Sequence, residues 1–181
     1  MKINEDEPEP EEVLIGGKEK RVIEVLDYDK SWSITFDTHK RKITNVLGDV
    51  ALRIEHIGST SVPGLAAKPI IDMLLVVTDS ADESIYLKKL EDAGYVLRVR
   101  EPKFHEHRMF RTIDKDVHLH VFSPDSPEIG KYITFRDKLR GNENNRVQYE
   151  KKKRELAKQS WDDMNLYSDA KSEIIAKIIN S

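Results

Sequence analysis

The chain has 181 residues, 38% of them hydrophobic and 35% charged, with a formal net charge of −3 and no cysteine. That length supports one domain with its own core, and the lack of cysteine excludes disulfides, thiolate metal sites and thiol nucleophiles. The near-neutral balance gives no basis for a nucleic-acid partner, and no apolar run approaches the roughly 20 residues that cross a bilayer, so a soluble, cytoplasmic protein is expected.

Residues 1–20 hold "NEDEPEPEE" and "GGKEK", and their proline, glycine and acidic charge predict a flexible lead-in to one domain over 21–181. "RVIEVLDYD" reads as a short strand or edge segment. A helix is predicted over 31–47, with Trp32, Phe36, Ile43 and Leu47 near one face and Gly48 as the stop. "LRIEHIG" alternates as a strand over 51–57, and 59–68 reads as a turn and a short helix with Pro63 near its start. "PIIDMLLVV" is nearly all apolar, the mark of a strand buried on both faces. Ser80 and Glu83 form a capping-box pair before a helix ending at Gly94. "YVLRVR", "HRMFRTI" and "VHLHVF" are three further strands. Ser126 and Pro127 open a helix to about Arg140, and two more follow over 143–159 and 168–180. The order predicts an α+β domain: a mixed sheet flanked by helices, with a helical C-terminal part.

Asp72 inside the apolar run is the anomaly. Gly58-Ser59 ends the preceding strand, where exposed N–H groups and the hydroxyls of Ser59 and Thr60 make a phosphate seat. A carboxylate beside such a seat suits a divalent cation that keeps phosphate oxygens as its other ligands. Together they form Gly-Ser-x12-Asp, the skeleton of a nucleotidyltransferase-type site. The usual second acid, two residues after the first, is here Leu74. The plainer alternatives are an ordinary turn at Gly58-Ser59 and an Asp72 that pairs with Lys68 or an arginine. The cost of burying an unpaired charge weighs toward function.

"EHIGSTSVPGLAAKPIID" resembles the signature of the GrpB family, a little-characterised group assigned to the nucleotidyltransferase superfamily. "DYDKSW" (27–32), "HLHVF" (118–122), "FRDKLR" (135–140), "YEKKKRELA" (149–157) and "YSDAK" (167–171) resemble further motifs of that family, in order, over residues 22–180. The resemblance implies a nucleotidyltransferase-like fold. It also matches Lys153 and Lys171 to the family's closing Tyr/Lys motifs and marks both as possible anion contacts. Lys152 stands where the family usually has leucine.

His118 and His120 alternate onto one strand face, and in that fold the neighbouring strand supplies the third carboxylate. They are therefore expected to share a cleft with Asp72, together with Glu55 or His56. Two imidazoles and one carboxylate favour zinc, manganese, nickel or iron over magnesium as the divalent metal, and the plainer alternative is a pair that hydrogen-bonds to neighbours and binds no metal. "KFHEHRMF" offers His105, His107 and Arg108, with Lys103 or Arg108 toward phosphate or simply solvated. Arg136 and Arg140, one helical turn apart, read as a phosphate clamp.

The expected function is metal-dependent transfer of a nucleotidyl or phosphoryl group from an NTP to an acceptor. Gly58, Ser59 and Asp72 would be the catalytic centre; Thr60, Lys68, Arg108, Arg136, Arg140, Lys153 and Lys171 would hold phosphates. The alternative is a module that binds a nucleotide or small molecule at a site degenerate at Leu74. Metal-dependent hydrolysis is a third and weaker reading. The pattern assigns no oligomeric state.

Overall fold

A computed structural model describes residues 14–181. Five strands form one mixed sheet: β1 (Ala51–Ile57), β2 (Ile71–Val77), β3 (Tyr95–Glu101), β4 (His107–Thr112) and β5 (Val117–Phe122), in the order β1-β2-β5-β4-β3. Only the β2–β5 pair is parallel. The six helices are α1 (Ser31–Leu47), α2 (Leu87–Asp92), α3 (Pro127–Gly141), α4 (Glu143–Ala157), α5 (Met164–Asp169) and α6 (Ser172–Ile179). The architecture is α+β, as the element order predicts. No helix among the described residues is long and apolar enough to cross a membrane.

Strand alternation gives the sheet two packed faces, and a third cluster of Val62, Leu65, Phe135, Leu139, Tyr149 and Ile178 joins the loop after β1 to α3, α4 and α6. Met73, Leu75, Val77, Leu119 and Val121 point to one face and pack with Trp32, Ile43 and Leu47 of α1 and Leu90 of α2. On the other face Leu74, Val76 and Phe122 meet Ile129, Tyr132 and Ile133 of α3. Helix α3 starts where Ser126 caps it and Pro127 takes the first turn. It covers the far half of that face. The near half, where Asp72 and His118 are opposite one another in the parallel ladder, stays open.

Several local expectations are corrected. The short helix over 59–68 is only a 3-10 turn at Ser59–Ser61. Beyond it, Ala66 gives its N–H to Glu150 at 3.2 Å and takes a hydrogen bond from Lys153, while Ala67 and Leu26 exchange hydrogen bonds at 2.8 and 2.9 Å. Those tertiary bonds replace the helical ladder. They also reduce the expected strand at "RVIEVLDYD" to a single bridge. The capping box dissolves because Glu83 turns to Arg100 and Arg108, with contacts of 2.6 to 2.7 Å. Asp82 instead caps the turn through Ser84 N–H at 3.1 Å, and Ser80 bonds to Ser123 at 2.9 Å. The helix expected over 168–180 is α6, which starts at Ser172, and a separate short helix, α5, precedes it and ends at Asp169. Much of the lead-in expected over 1–20 lies outside the described residues. Within the described part, Ile15 N–H donates to Arg98 C=O at 2.9 Å.

A basic cleft around Asp72

The open half of the sheet face is one wall of a cleft of about 370 Å³. The segment before α1, the loop after β1, Lys153 of α4, and α5 with the Lys171 that follows it supply the rest. Six cationic side chains line it (Arg21, Lys68, Arg98, Arg111, Lys153 and Lys171) against four carboxylates (Glu19, Asp72, Glu101 and Asp163), so it is positive in an acidic protein. Three of the four acids are engaged locally. Glu19 pairs with Arg111 and Lys115, Glu101 with His107, and Asp163 caps α5 through Asn165 N–H. Asp72 is left facing the lysines.

Gly58 brings the turn against Asp72. Its φ is +70°, and a Cβ there would stand 2.7 Å from Asp72 Oδ2. Burial raises the Asp72 carboxyl's pKa, but His120, His118 and Lys68 outweigh it and hold it below the usual range. His118 Nδ1 and His120 Nε2 lie 3.7 and 3.8 Å from the same Asp72 oxygen. Burial lowers His118 to about 4 in spite of the aspartate, so at neutral pH it is uncharged.

His107 adds a link that its neighbours in sequence obscure. Its Nδ1 is 2.6 Å from Glu101 and its Nε2 is 3.1 Å from His120 Nδ1, and the two rings stack at 5.3 Å. Burial keeps His107 below its usual pKa despite Glu101. A neutral His107 donating to Glu101 has a bare Nε2, which accepts from His120 Nδ1–H. His120 in turn places its Nε2 against Asp72, so the row continues into the cleft.

The lysines form the opposite pole. Lys171 Nζ lies 4.5 Å and Lys68 Nζ 5.7 Å from the centre of the Tyr167 ring, and Lys153 Nζ lies 4.9 Å from that of Tyr149. Burial, then the neighbouring lysines, lower Lys153 to about 7 and Lys171 to about 8. Burial also lowers Lys68, against the pull of Asp72.

The structure therefore brings Ser59, Thr60, Lys68, Asp72, His118, His120, Lys153 and Lys171 to one cleft, packs Gly58 behind Asp72, and leaves five expected residues elsewhere. Arg136 donates to Glu55 at 2.8 Å, to Asp137 at 2.8 Å and to the His56 carbonyl at 3.1 Å, which fastens α3 to β1. Arg140 donates twice to the Ser61 carbonyl, at 3.0 and 2.7 Å. Neither is a phosphate clamp here. Arg108 points to the α2 face and is bound by Glu83 and Glu106. Glu55 is held between Arg53 and Arg136. His56 stacks on Phe36 at 4.7 Å on the α1 side. Thr60 gives its one proton to the Ile70 carbonyl at 3.2 Å, so at 3.0 Å it must accept from His56 Nε2–H. Buried and held at about 4, His56 is a neutral structural imidazole. The sequence reading missed Arg21, Arg98, Arg111, Glu19 and Tyr167. Alternation along β4 could have put Arg111 on the face opposite Arg108 had the strand's register been known.

The metal expectation meets a donor set that does not match it. Among the described residues no group of three or more His, Asp or Glu side chains is arranged to hold a metal ion. Leu74, where a second acid would stand, is fully buried with Ile57, Val76 and Phe122. A carboxylate there would lie under α3 instead of in the cleft.

Fold and site together define an α+β protein with a basic, histidine-lined cleft around a single forward-facing aspartate. The chain belongs to the GrpB family, whose model, described as "GrpB protein", matches residues 22–181. UPF0157 protein BH1888 of Halalkalibacterium halodurans is 52% identical over 157 residues, covering 87% of this chain and 80% of that protein. The crystal structure of conserved protein GrpB from Enterococcus faecalis superposes with a TM-score of 0.78 at 32% identity, over 87% of this chain and 95% of that one. The Cid1 poly(U) polymerase structure aligns with a TM-score of 0.43 at 11% identity, over 72% of this chain and 44% of that one, a likeness too slight to carry an argument.

Proposed function

We propose that the cleft binds the phosphate end of a nucleotide or other phosphorylated small molecule. One observation carries this reading: Lys68, Lys153 and Lys171 converge around Tyr149 and Tyr167, with a single carboxylate left facing them. Ammonium groups held in so buried a place oppose folding, and a polyphosphate would neutralise them. Ser59 and Thr60 border the same space on the turn side. A thermal-shift screen of nucleotides, sugar phosphates and pyrophosphate against wild type and Lys153→Met/Lys171→Met tests it. A ligand at about 100 times its Kd adds roughly 2.7 kcal/mol to wild type. The reading requires that shift in wild type and its loss in the double variant; no shift with any phosphate defeats it.

Transfer of a nucleotidyl or phosphoryl group to an acceptor is a second reading, favoured by the close approach of Gly58 to Asp72. An acceptor hydroxyl entering beside Asp72 would meet an ionised carboxylate, a group able to take its proton as general-base chemistry needs. No step is assigned to a metal. Release of pyrophosphate from NTP in the presence of candidate acceptors, abolished in Asp72→Asn, would support transfer.

A further inference from the structure

The described chain begins on the rim of the cleft and delivers a carboxylate into it. Leu14 bridges to Val99, and the Arg98 guanidinium donates to the carbonyls of Ile15 and Gly17. The segment so anchored carries Glu19 to the cleft wall. Arg111 donates to both of its oxygens, at 2.9 and 2.8 Å, the fork geometry by which arginine recognises a carboxylate. Lys115 Nζ adds a third bond at 2.9 Å, and Arg21 Nε stands 4.0 Å away.

The two sides of this contact differ in origin. Arg111 and Lys115 lie within the segment that matches the family, whereas Glu19 lies before it. Arg111 is opposite His118 in one ladder, and His118 is opposite Asp72 in the next. Two strand spacings separate the arginine from the aspartate, about 10 Å. The cleft thus has a second cationic pole, across the sheet from the lysines and filled by the chain itself.

We infer that Arg111 and Lys115 form a carboxylate subsite for the molecule that joins the phosphorylated ligand, and that Glu19 is its displaceable stand-in. The class of second ligand this implies is a small molecule ending in a free carboxylate. The inference rests on the phosphate-binding reading for what the other pole holds.

Sodium propionate, which matches the whole glutamate side chain, probes the subsite of Glu19→Ala in the full chain. Propionate should raise the Tm of Glu19→Ala by about 3 °C, saturably, above a sodium chloride control of equal ionic strength. Wild type, whose subsite is filled, should not respond, nor should Glu19→Ala/Arg111→Met. Should that double variant fail to fold, Glu19→Ala/Arg111→Lys keeps the charge, loses the fork and must likewise lose the response. An equal response to propionate and chloride, or the same shift in every variant, overturns the inference. ATP melts of Glu19→Ala separate the two claims. Stabilisation by ATP without propionate rescue removes the subsite and leaves phosphate binding. Rescue by propionate with no effect of ATP or the other phosphates does the reverse.

Discussion

A Cβ on residue 58 would lie 2.7 Å from Asp72 Oδ2 and 3.1 Å from Asp72 Cβ, so the turn and the aspartate are fitted to each other through a missing side chain. Gly58→Ala must take up both that clash and a φ of +70°. The substitution should cost roughly 2 to 3 kcal/mol in a urea melt. In Gly58→Ala/Asp72→Ala the clash with Oδ2 is gone while the φ strain remains, so about half the loss should return.

Arg136 tests whether conspicuous arginines on a helix serve the ligand or the fold. It is 9% exposed and bonded to Glu55, Asp137 and the His56 carbonyl. Arg136→Ala should destabilise the protein by about 3 kcal/mol, since Glu55 and a backbone carbonyl lose their partner. At a temperature where the variant stays folded, its affinity for phosphates should match wild type in calorimetry.

Lys153 should behave in the opposite way. Burial holds it at about 7, far below its ordinary 10.5. Between those values the unfolded chain binds a proton that the folded chain lacks, so its contribution to stability climbs with pH across that window. Lys153→Met removes the cost of the buried ammonium and loses the hydrogen bond to Ala66, for a net gain of roughly 2 kcal/mol at pH 7. Phosphate affinity should fall about tenfold or more. A variant that melts higher and binds worse identifies a residue kept for its ligand.

Below neutrality the histidines dominate. His56 and His118 stand at about 4 against an ordinary 6.5, mainly through burial. Their contribution is complete above 6.5 and is lost as pH falls toward 4, because only the unfolded chain takes up the protons. Each loses about 1.4 kcal/mol per pH unit, so urea melts at pH 7 and pH 5 should differ by roughly 4 kcal/mol. His118→Gln should remove about half of that difference.

The sheet and α3 were legible because their signals are local. Alternation marks β1 and β5, and Ser126-Pro127 marks a helix start with no help from elsewhere. Asp72, His118 and His120 could be grouped because each lies on a strand whose direction of alternation the apolar neighbours fix. The arginines misled because their partners are distant in sequence: Arg136 meets Glu55 across 81 residues, and Arg140 meets Ser61 across 79. Glu83 was diverted from its cap in the same way by Arg108, 25 residues on. The second pole was invisible because Glu19 finds Arg111 only after β4 has paired, 92 residues away. Local chemistry located the centre of the cleft, and register decided its walls.

The central claim is that lysines hold the phosphate and that Asp72 does not do so through a bridging metal. Calorimetric titration of ATP into wild type and Asp72→Asn, first in EDTA and then with magnesium, tests it most directly. The account predicts binding to wild type in EDTA, and binding several-fold tighter in Asp72→Asn, where a carboxylate no longer repels the phosphates. Binding that needs the metal and disappears in Asp72→Asn would contradict it.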